Sequence, residues 1–430
     1  MKALITIMVL TLLSPTVFSD YNPNRALVKS PSQKLLEGHS SVIKFKLLFN
    51  DWYVVHTRDV TTLENELKNI DPRIIIERDF KSSKRVLPKT RDTYERNISK
   101  ARSFFNDPSA TRVWSFEDAN RYGISIERAY RDLSIPYQEE IIVAVVDTGI
   151  DYNHEDLKNV MWTNTQEIPG NGIDDDNNGY VDDIHGLNTL IRDSEGNATG
   201  DMMDTHSHGT HVAGTIGAEQ NNDIGIAGIA GNVRLMGLRT VPNSGDELDV
   251  DVIEAFLYAA KNGARVINCS FGKDRNEGGM AVKEAIDFIG QKYKTLVVAA
   301  AGNSSRDIDT RPTYPASFNS ENLLVVASTT SRGRLSFFSN YGSENVDLAA
   351  PGSDIYSTVP RNGYGSKSGT SMASPTTAGV AAEVLSKFPK LTPREVKEVL
   401  MKTVTKSRRI RRSLASQGRI DLYNALNSLN

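Results

Sequence analysis

From about residue 107 onward, short continuous apolar runs alternate with longer stretches of helical periodicity. The runs are Ile141–Val146, Val266–Asn268, Leu296–Ala301 and Leu323–Ala327. The first is β-branched except for Ala144, as expected of a strand buried on both faces. Val250–Asn262, Met280–Tyr293 and Met372–Phe388 carry the helical pattern. This alternation predicts an α/β domain, a parallel β-sheet flanked by helices on both faces. Thr392-Pro393-Arg394-Glu395 predicts a helix start: Thr392 as N-cap, Pro393 first in the helix, Glu395 closing a capping box. A last helix is predicted near Asp421–Asn427.

The first hundred residues read differently. Lys2 precedes the apolar run Ala3–Leu13, and Val17 and Ser19 follow, the pattern of an export signal over residues 1–19. The run is too short to span a bilayer, and no other segment approaches 18 apolar residues. Stable membrane insertion is therefore not expected, and an exported protein, secreted or periplasmic, is. Residues 20–106 are rich in Lys, Arg, Asp and Ser and poor in Gly. They predict a small α+β unit with strands at Val42–Leu48, Trp52–His56 and Arg73–Ile76 and a helix at Thr61–Lys68. Lys81–Arg102 is basic and polar without an apolar face, a linker or an exposed, protease-sensitive segment. Residues 107–430 form the large domain.

Composition narrows the classes. A chain of 430 residues allows two or three domains. Its 50 basic and 53 acidic residues leave a net charge of -3, which gives no global pull toward nucleic acid. One cysteine excludes an intrachain disulfide framework, a multi-cysteine zinc site and an iron–sulfur cluster. An exported chain without disulfides needs another source of robustness, and bound metal is a candidate.

Three separated motifs carry chemistry. In Val145-Val146-Asp147-Thr148-Gly149, an Asp sits at the carboxyl end of a buried strand, where open α/β sheets build their sites. In His206-Ser207-His208-Gly209-Thr210-His211, three of the seven histidines fall within six residues. One could be a general base at a helix start, or all three could ligate zinc. In Ser368-Gly369-Thr370-Ser371-Met372-Ala373-Ser374-Pro375, a Ser stands at the mouth of a small-residue helix. It could be a helix cap or a nucleophile whose oxyanion would be favoured by the helix N-terminus. Pro375 is expected in the first turn, where it is tolerated.

Taken together, Asp147, His208 and Ser371 and the sequences around them resemble the subtilisin-like serine peptidase family, over about Trp114 to Ala425. The resemblance implies that Ser371 attacks the peptide carbonyl, His208 moves the proton and Asp147 orients the imidazole. It implies that Asn303, after Val297–Gly302, donates to the oxyanion beside the Ser371 N–H. Ser270, Phe271 and Gly272, facing Ala301 and Gly302, would line the substrate cleft, and a polypeptide would add there as a strand. Asp249, where relatives carry a bulky lid, stands with Glu247 and Asp251 on an acidic rim, which reads either as a solvated acidic loop or as a site tolerating basic residues upstream of the cut. Thr376-Thr377 departs from the His and Val of many relatives, and Cys269 reads as a small buried residue.

Asn171–His185 reads as a calcium loop. Asp174, Asp176, Asn178 and Gly179 match the first half of the hard-oxygen pattern for Ca²⁺, with the Tyr180 carbonyl and Asp182 as further ligands. His185 stands where a complete EF-hand has its bidentate acid, so the motif is partial. Asp156 and Asn222 form a second candidate pair. The resemblance further implies a zymogen: the N-terminal unit as intramolecular inhibitor, cut between Arg102 and Ser115, and a monomeric mature enzyme. Two other readings are a zinc hydrolase using His206, His208 and His211, and a non-catalytic binding protein on the same scaffold.

Overall fold

The computed structural model describes residues 21–80, 103–273 and 279–430. The predicted signal and the basic linker lie outside the described residues. The small unit comprises β1 (Tyr21–Lys29), β2 (Val42–Phe49), β3 (Trp52–Thr57), α1 (Val60–Ile70) and β4 (Ile75–Phe80). Its antiparallel sheet has the order β2-β3-β1-β4, and β1 carried no signal in the sequence reading. The Asp59 side chain caps α1 by accepting from Thr62 N–H. Val60, Leu63 and Leu67 of α1 pack on Ala26 and Val28 of β1 and Val55 of β3. The opposite face of the sheet, with Leu27, Trp52 and Val54, joins a core of the large unit. Period-two alternation thus gives this sheet two apolar faces, and the second one docks it.

The large unit continues with α2 (Ile126–Asp132), β5 (Ile141–Asp147), β6 (Gly186–Arg192), β7 (Ala198–Thr199), α3 (His208–Gly217) and β8 (Val233–Arg239). Next come α4 (Asp249–Lys261), β9 (Val266–Cys269), α5 (Met280–Tyr293), β10 (Leu296–Ala300), β11 (Leu323–Thr329) and β12 (Leu348–Pro351). The chain closes with the hairpin β13 (Ile355–Val359) and β14 (Gly363–Lys367), then α6 (Thr370–Lys387), α7 (Pro393–Lys402), β15 (Thr405–Lys406), β16 (Gly418–Arg419) and α8 (Leu422–Asn427). The ten-stranded sheet runs β15-β16-β12-β11-β10-β9-β5-β8-β6-β7, parallel except for the end pairs β15–β16 and β6–β7. In β5, Val143 and Val145 face the core with α3 and α6, while Ala144 and Val146 face the core with α4 and α5. That is the predicted two-sided sheet. The Thr392–Glu395 capping box forms as expected.

Phe105 is 4 % exposed and belongs to the large core, and Ser103 Oγ bonds Glu127. Ser103 and Phe105 therefore pack with the large unit.

The units meet at helix N-termini. Glu77 of β4 accepts from the Met280 and Ala281 N–H groups of α5 at 2.9 and 3.2 Å, and Asp79 accepts from Val250 N–H of α4 at 3.2 Å. Carboxylates satisfy orphan donors there and suit the positive end of each helix. Arg25 bridges Asp79 at 2.7 Å and Asp251 at 3.1 Å.

Candidate active site

Asp147 is the last residue of β5, and His208 is the first of α3. Their elements are forced close: a Cβ on Gly209 would overlap the Gly149 carbonyl oxygen, so only glycine fits at that helix position. His208 Nδ1 lies 2.7 Å from Asp147 Oδ1, with both residues buried. The Asp147 carboxylate also accepts from Thr148 N–H, and Thr148 Oγ1 accepts from Gly209 N–H. Asp204, which the sequence reading missed, fixes the start of α3. It accepts from the N–H groups of His206, Ser207 and Thr210 and from the hydroxyls of Thr148 and Thr210. Its only sequence signal was an acidic residue four positions before a helix start.

The other two histidines separate from this pair. His211 Nε2 is 2.9 Å from the Ile355 carbonyl, and burial pushes its imidazole down to about 3. The His206 ring is 6.5 Å from that of His208, centroid to centroid. Among the described residues the three histidines do not converge as ligands, so the zinc reading has no geometry behind it.

Ser371 lies in the first turn of α6. Its Oγ donates to Ser270 O at 3.0 Å, while Ser270 Oγ donates to Ser371 O at 2.9 Å. The second bond has a sequence cause. Pro375 lies in the second turn rather than the first, and it lacks the N–H that would bond the Ser371 carbonyl. The Ser270 hydroxyl takes that place, and Asn268 Nδ2 donates to the same hydroxyl at 2.8 Å. Asn268 also accepts from Ser374 Oγ and was not foreseen. His208 Nε2 has no hydrogen-bond partner among the described residues.

Asn303 follows β10, and its Oδ1 accepts from Thr370 N–H and Thr370 Oγ1. Gly302 has φ +102°, and its N–H donates to Thr370 Oγ1 at 3.1 Å. Ala301 is buried, and its carbonyl accepts from Asn340 Nδ2. Ser270, Phe271 and Gly272 leave β9 beside Ser371, and Lys273 then bridges Tyr314 in antiparallel fashion. All the predicted catalytic and cleft residues therefore come to one end of the sheet.

The acidic rim differs from expectation. Asp249 is 2.6 Å from Lys273 Nζ, both side chains being largely buried. Asp251 is paired with Arg25 and Arg192. These two carboxylates are already neutralised within the chain.

The acidic loop also rearranges its predicted ligands. Asp174 accepts from the Asn178 and Gly179 N–H groups, and Asp182 from those of Gly170 and Gly172. Asn178 Oδ1 accepts from Tyr180 N–H, and Tyr180 Oη donates to Glu254. The carboxylates that converge, with oxygens within 4.8 Å of one another, are Glu167, Asp176 and Asp183. Glu167 and Asp183 fell outside the Asp-x-Asp-x-Asn-Gly pattern. Burial raises Asp183 above the ordinary carboxylate range, and the Asp176 charge adds to this. Three hard oxygens with mutual repulsion fit a divalent cation such as Ca²⁺. Asp156 and Asn222 also meet, Nδ2 to Oδ1 at 2.9 Å, and burial pushes Asp156 up to about 6.

A sequence profile of the Subtilase family matches residues 138–419. The chain belongs to that family. It is 31% identical over 390 residues to "Subtilisin-like protease 1" of Plasmodium berghei (strain Anka), covering 85% of this chain and 63% of that protein. It is 38% identical over 244 residues to "Thermitase" of Thermoactinomyces vulgaris, covering 57% of this chain and 74% of that one. The chain spans less than two thirds of the Plasmodium proteins it matches, 63% in one and 48% in another. The fold is that of fervidolysin from Fervidobacterium pennivorans, a keratinolytic enzyme related to subtilisin: TM-score 0.73 at 22% identity, over 95% of this chain and 61% of that one. No helix among the described residues is long and apolar enough to cross a membrane.

Proposed function

We propose that this chain is a serine endopeptidase acting through Asp147, His208 and Ser371. The observation that carries the reading is the 2.7 Å contact between Asp147 and the Nδ1 of a His208 whose Nε2 has no hydrogen-bond partner among the described residues. Ser371 Oγ attacks the scissile carbonyl carbon and its proton passes to His208 Nε2. Asp147 holds the Nδ1–H and stabilises the imidazolium. The oxyanion is received by the Ser371 N–H and the Asn303 amide at the positive end of α6. As the tetrahedral intermediate collapses, His208 gives its proton to the leaving amine. Water, deprotonated by His208, then hydrolyses the acyl-enzyme.

The finer reading is an exported zymogen stabilised by calcium. Glu167, Asp176 and Asp183 would hold the ion, whose contribution is neutralisation of buried charge. Residues 21–80 would act as the intramolecular inhibitor, supported by their carboxylate caps on α4 and α5. The mature enzyme would be a monomer that cleaves polypeptides. Fluorophosphonate labelling with site mapping tests the core of this proposal. We expect Ser371 to be labelled and the label to be lost in His208→Ala. A folded, processed protein that resists labelling would instead be a non-catalytic binding protein on this scaffold.

A further inference from the structure

A turn at residues 330–334 follows β11, and residues 407–417 connect β15 to β16. The fold sets these two loops side by side: Arg409 Nη1 donates to the Arg332 carbonyl and to Tyr122 Oη. Arg332 and Arg334 on the first loop are exposed, as are Arg408, Arg409, Arg411 and Arg412 on the second. None of the six has a carboxylate partner among the described residues. The whole chain carries a net charge of -3, so this is a local excess of cation and not a reflection of composition. The second loop is also anchored. Ile410, between the two arginine pairs, is 1 % exposed and shares a core with Leu414, and Gly342 N–H donates to the Ser413 carbonyl. Asp309, packed against Gly342, is committed to the N–H groups of Glu344 and Asn345. Like charges held together without an acid repel one another, and an anionic partner laid across them relieves that repulsion.

The first loop runs on into the candidate active site. Ser305, two residues after Asn303, donates its N–H to the Phe338 carbonyl at 2.9 Å and its hydroxyl to the Phe337 carbonyl at 2.6 Å. Asn340 N–H donates to the Gly302 carbonyl at 2.9 Å. The segment that begins with Arg332 and Arg334 therefore packs on the segment that presents Asn303. We propose that the six arginines form a docking surface for acidic stretches of polypeptide substrates, continuing the cleft from Asn303 across the first loop to the second. This rests on the reading of Ser371 as nucleophile given above. A guanidinium fork binds a carboxylate through two parallel hydrogen bonds, so the surface selects Asp and Glu over neutral side chains. Continuity with the peptidase cleft favours a polypeptide over a nucleic acid as the anion. Exposed ion pairs are individually weak, and the surface works through several acting together. These arginines would hold substrate away from the reacting atoms.

The test compares three peptides that share one cleavable sequence, carrying a run of Glu after it, a run of Glu before it, or a run of Gln. At low salt, kcat/KM for at least one Glu peptide should exceed that for the Gln peptide by about tenfold, through KM, the worth of several exposed ion pairs. The advantage should fade at high salt. Arg408→Ser/Arg411→Ser/Arg412→Ser, which keeps Arg409 and its loop contacts, should cleave all three peptides alike. Arg408→Lys/Arg411→Lys/Arg412→Lys should retain part of the preference. Binding without turnover is read by fluorescence anisotropy of the labelled Glu peptides on full-chain Ser371→Ala, beside a single-stranded oligonucleotide of equal charge. Equal kcat/KM for the three peptides, or an acidic preference that survives the triple Ser variant, would overturn the proposal. An oligonucleotide that binds more tightly than either Glu peptide would overturn it as well. A wild-type chain that hydrolyses no peptide, while Ser371→Ala binds a Glu peptide through these arginines, would count against the Ser371 reading alone.

Discussion

The side-chain oxygen of Asn303 accepts two hydrogen bonds from Thr370, from the backbone N–H at 2.8 Å and from the hydroxyl at 3.0 Å. With its oxygen filled, the amide has only its N–H donors left, as the proposed oxyanion role requires, and its flip state is decided by Thr370. Asn303→Ala should lower kcat by about 10²–10³ with little change in KM. Thr370→Val removes one of the two anchoring bonds and should cost roughly tenfold, the worth of about one hydrogen bond. Steady-state kinetics on a peptide substrate would check both.

Pro375 and Ser270 form a compensating pair. Ser270→Ala leaves the buried Ser371 carbonyl without the bond that Pro375 also withholds. The expected loss is about 1–3 kcal/mol in urea unfolding. Adding Pro375→Ala restores a helical N–H to that carbonyl and should recover part of the loss. A double variant no more stable than Ser270→Ala would contradict this account of the helix start.

Calcium dependence should separate the converging carboxylates from the turn-forming ones. At free calcium about 100 times its Kd, binding to the native state adds about 2.7 kcal/mol, so chelation should lower Tm. Asp183→Asn should abolish the difference between chelated and calcium-loaded protein. Asp174→Asn should destabilise equally in both conditions, because its carboxylate serves backbone N–H groups.

Glu77 makes the unit interface sensitive to pH. Burial pushes its carboxyl up to about 7 from an ordinary 4.5, with Asp249 and Glu284 adding to the rise against the two N–H groups it accepts from. A raised carboxyl binds its proton more tightly when docked. Its contribution is fully present below about pH 4.5 and is lost as pH rises through about 7. Hydrogen-exchange protection of the Met280 and Ala281 amides, corrected for intrinsic rates, should fall between pH 5 and 8. Glu77→Gln should flatten that dependence.

Neutralisation of Asp249 by Lys273 predicts little preference for basic side chains at that rim. Lys273→Ala uncovers the carboxylate. Peptide-library profiling should then show a gain for Lys and Arg upstream of the cut, of about threefold to tenfold if the site stays partly solvated. An unaltered profile would place this rim away from the bound substrate.

Much of this molecule was legible residue by residue. The run Ile141–Val146 is a strand because β-branched side chains pack well on both faces of a sheet, and Met280–Tyr293 is a helix to the residue. Thr392 and Glu395 form their capping box from local chemistry alone. Asp147, His208, Ser371 and Asn303 were identified by motif, and the fold gathers them at one sheet end. The strands β1, β13 and β14 were not legible, because short or mixed segments become strands only when a partner lies beside them.

Charged and polar side chains were the harder part. Asp249 read as part of an acidic rim because its partner Lys273 stands 24 positions away. The acidic loop announced its composition, yet chain reversal chose Glu167 and Asp183 over Asp174 and Asp182 as the carboxylates that converge. Apolar periodicity and helix caps are local and survive in one dimension. The state of a charge depends on which counter-charge or amide lies within a few ångströms, and that distance exists only in the folded chain.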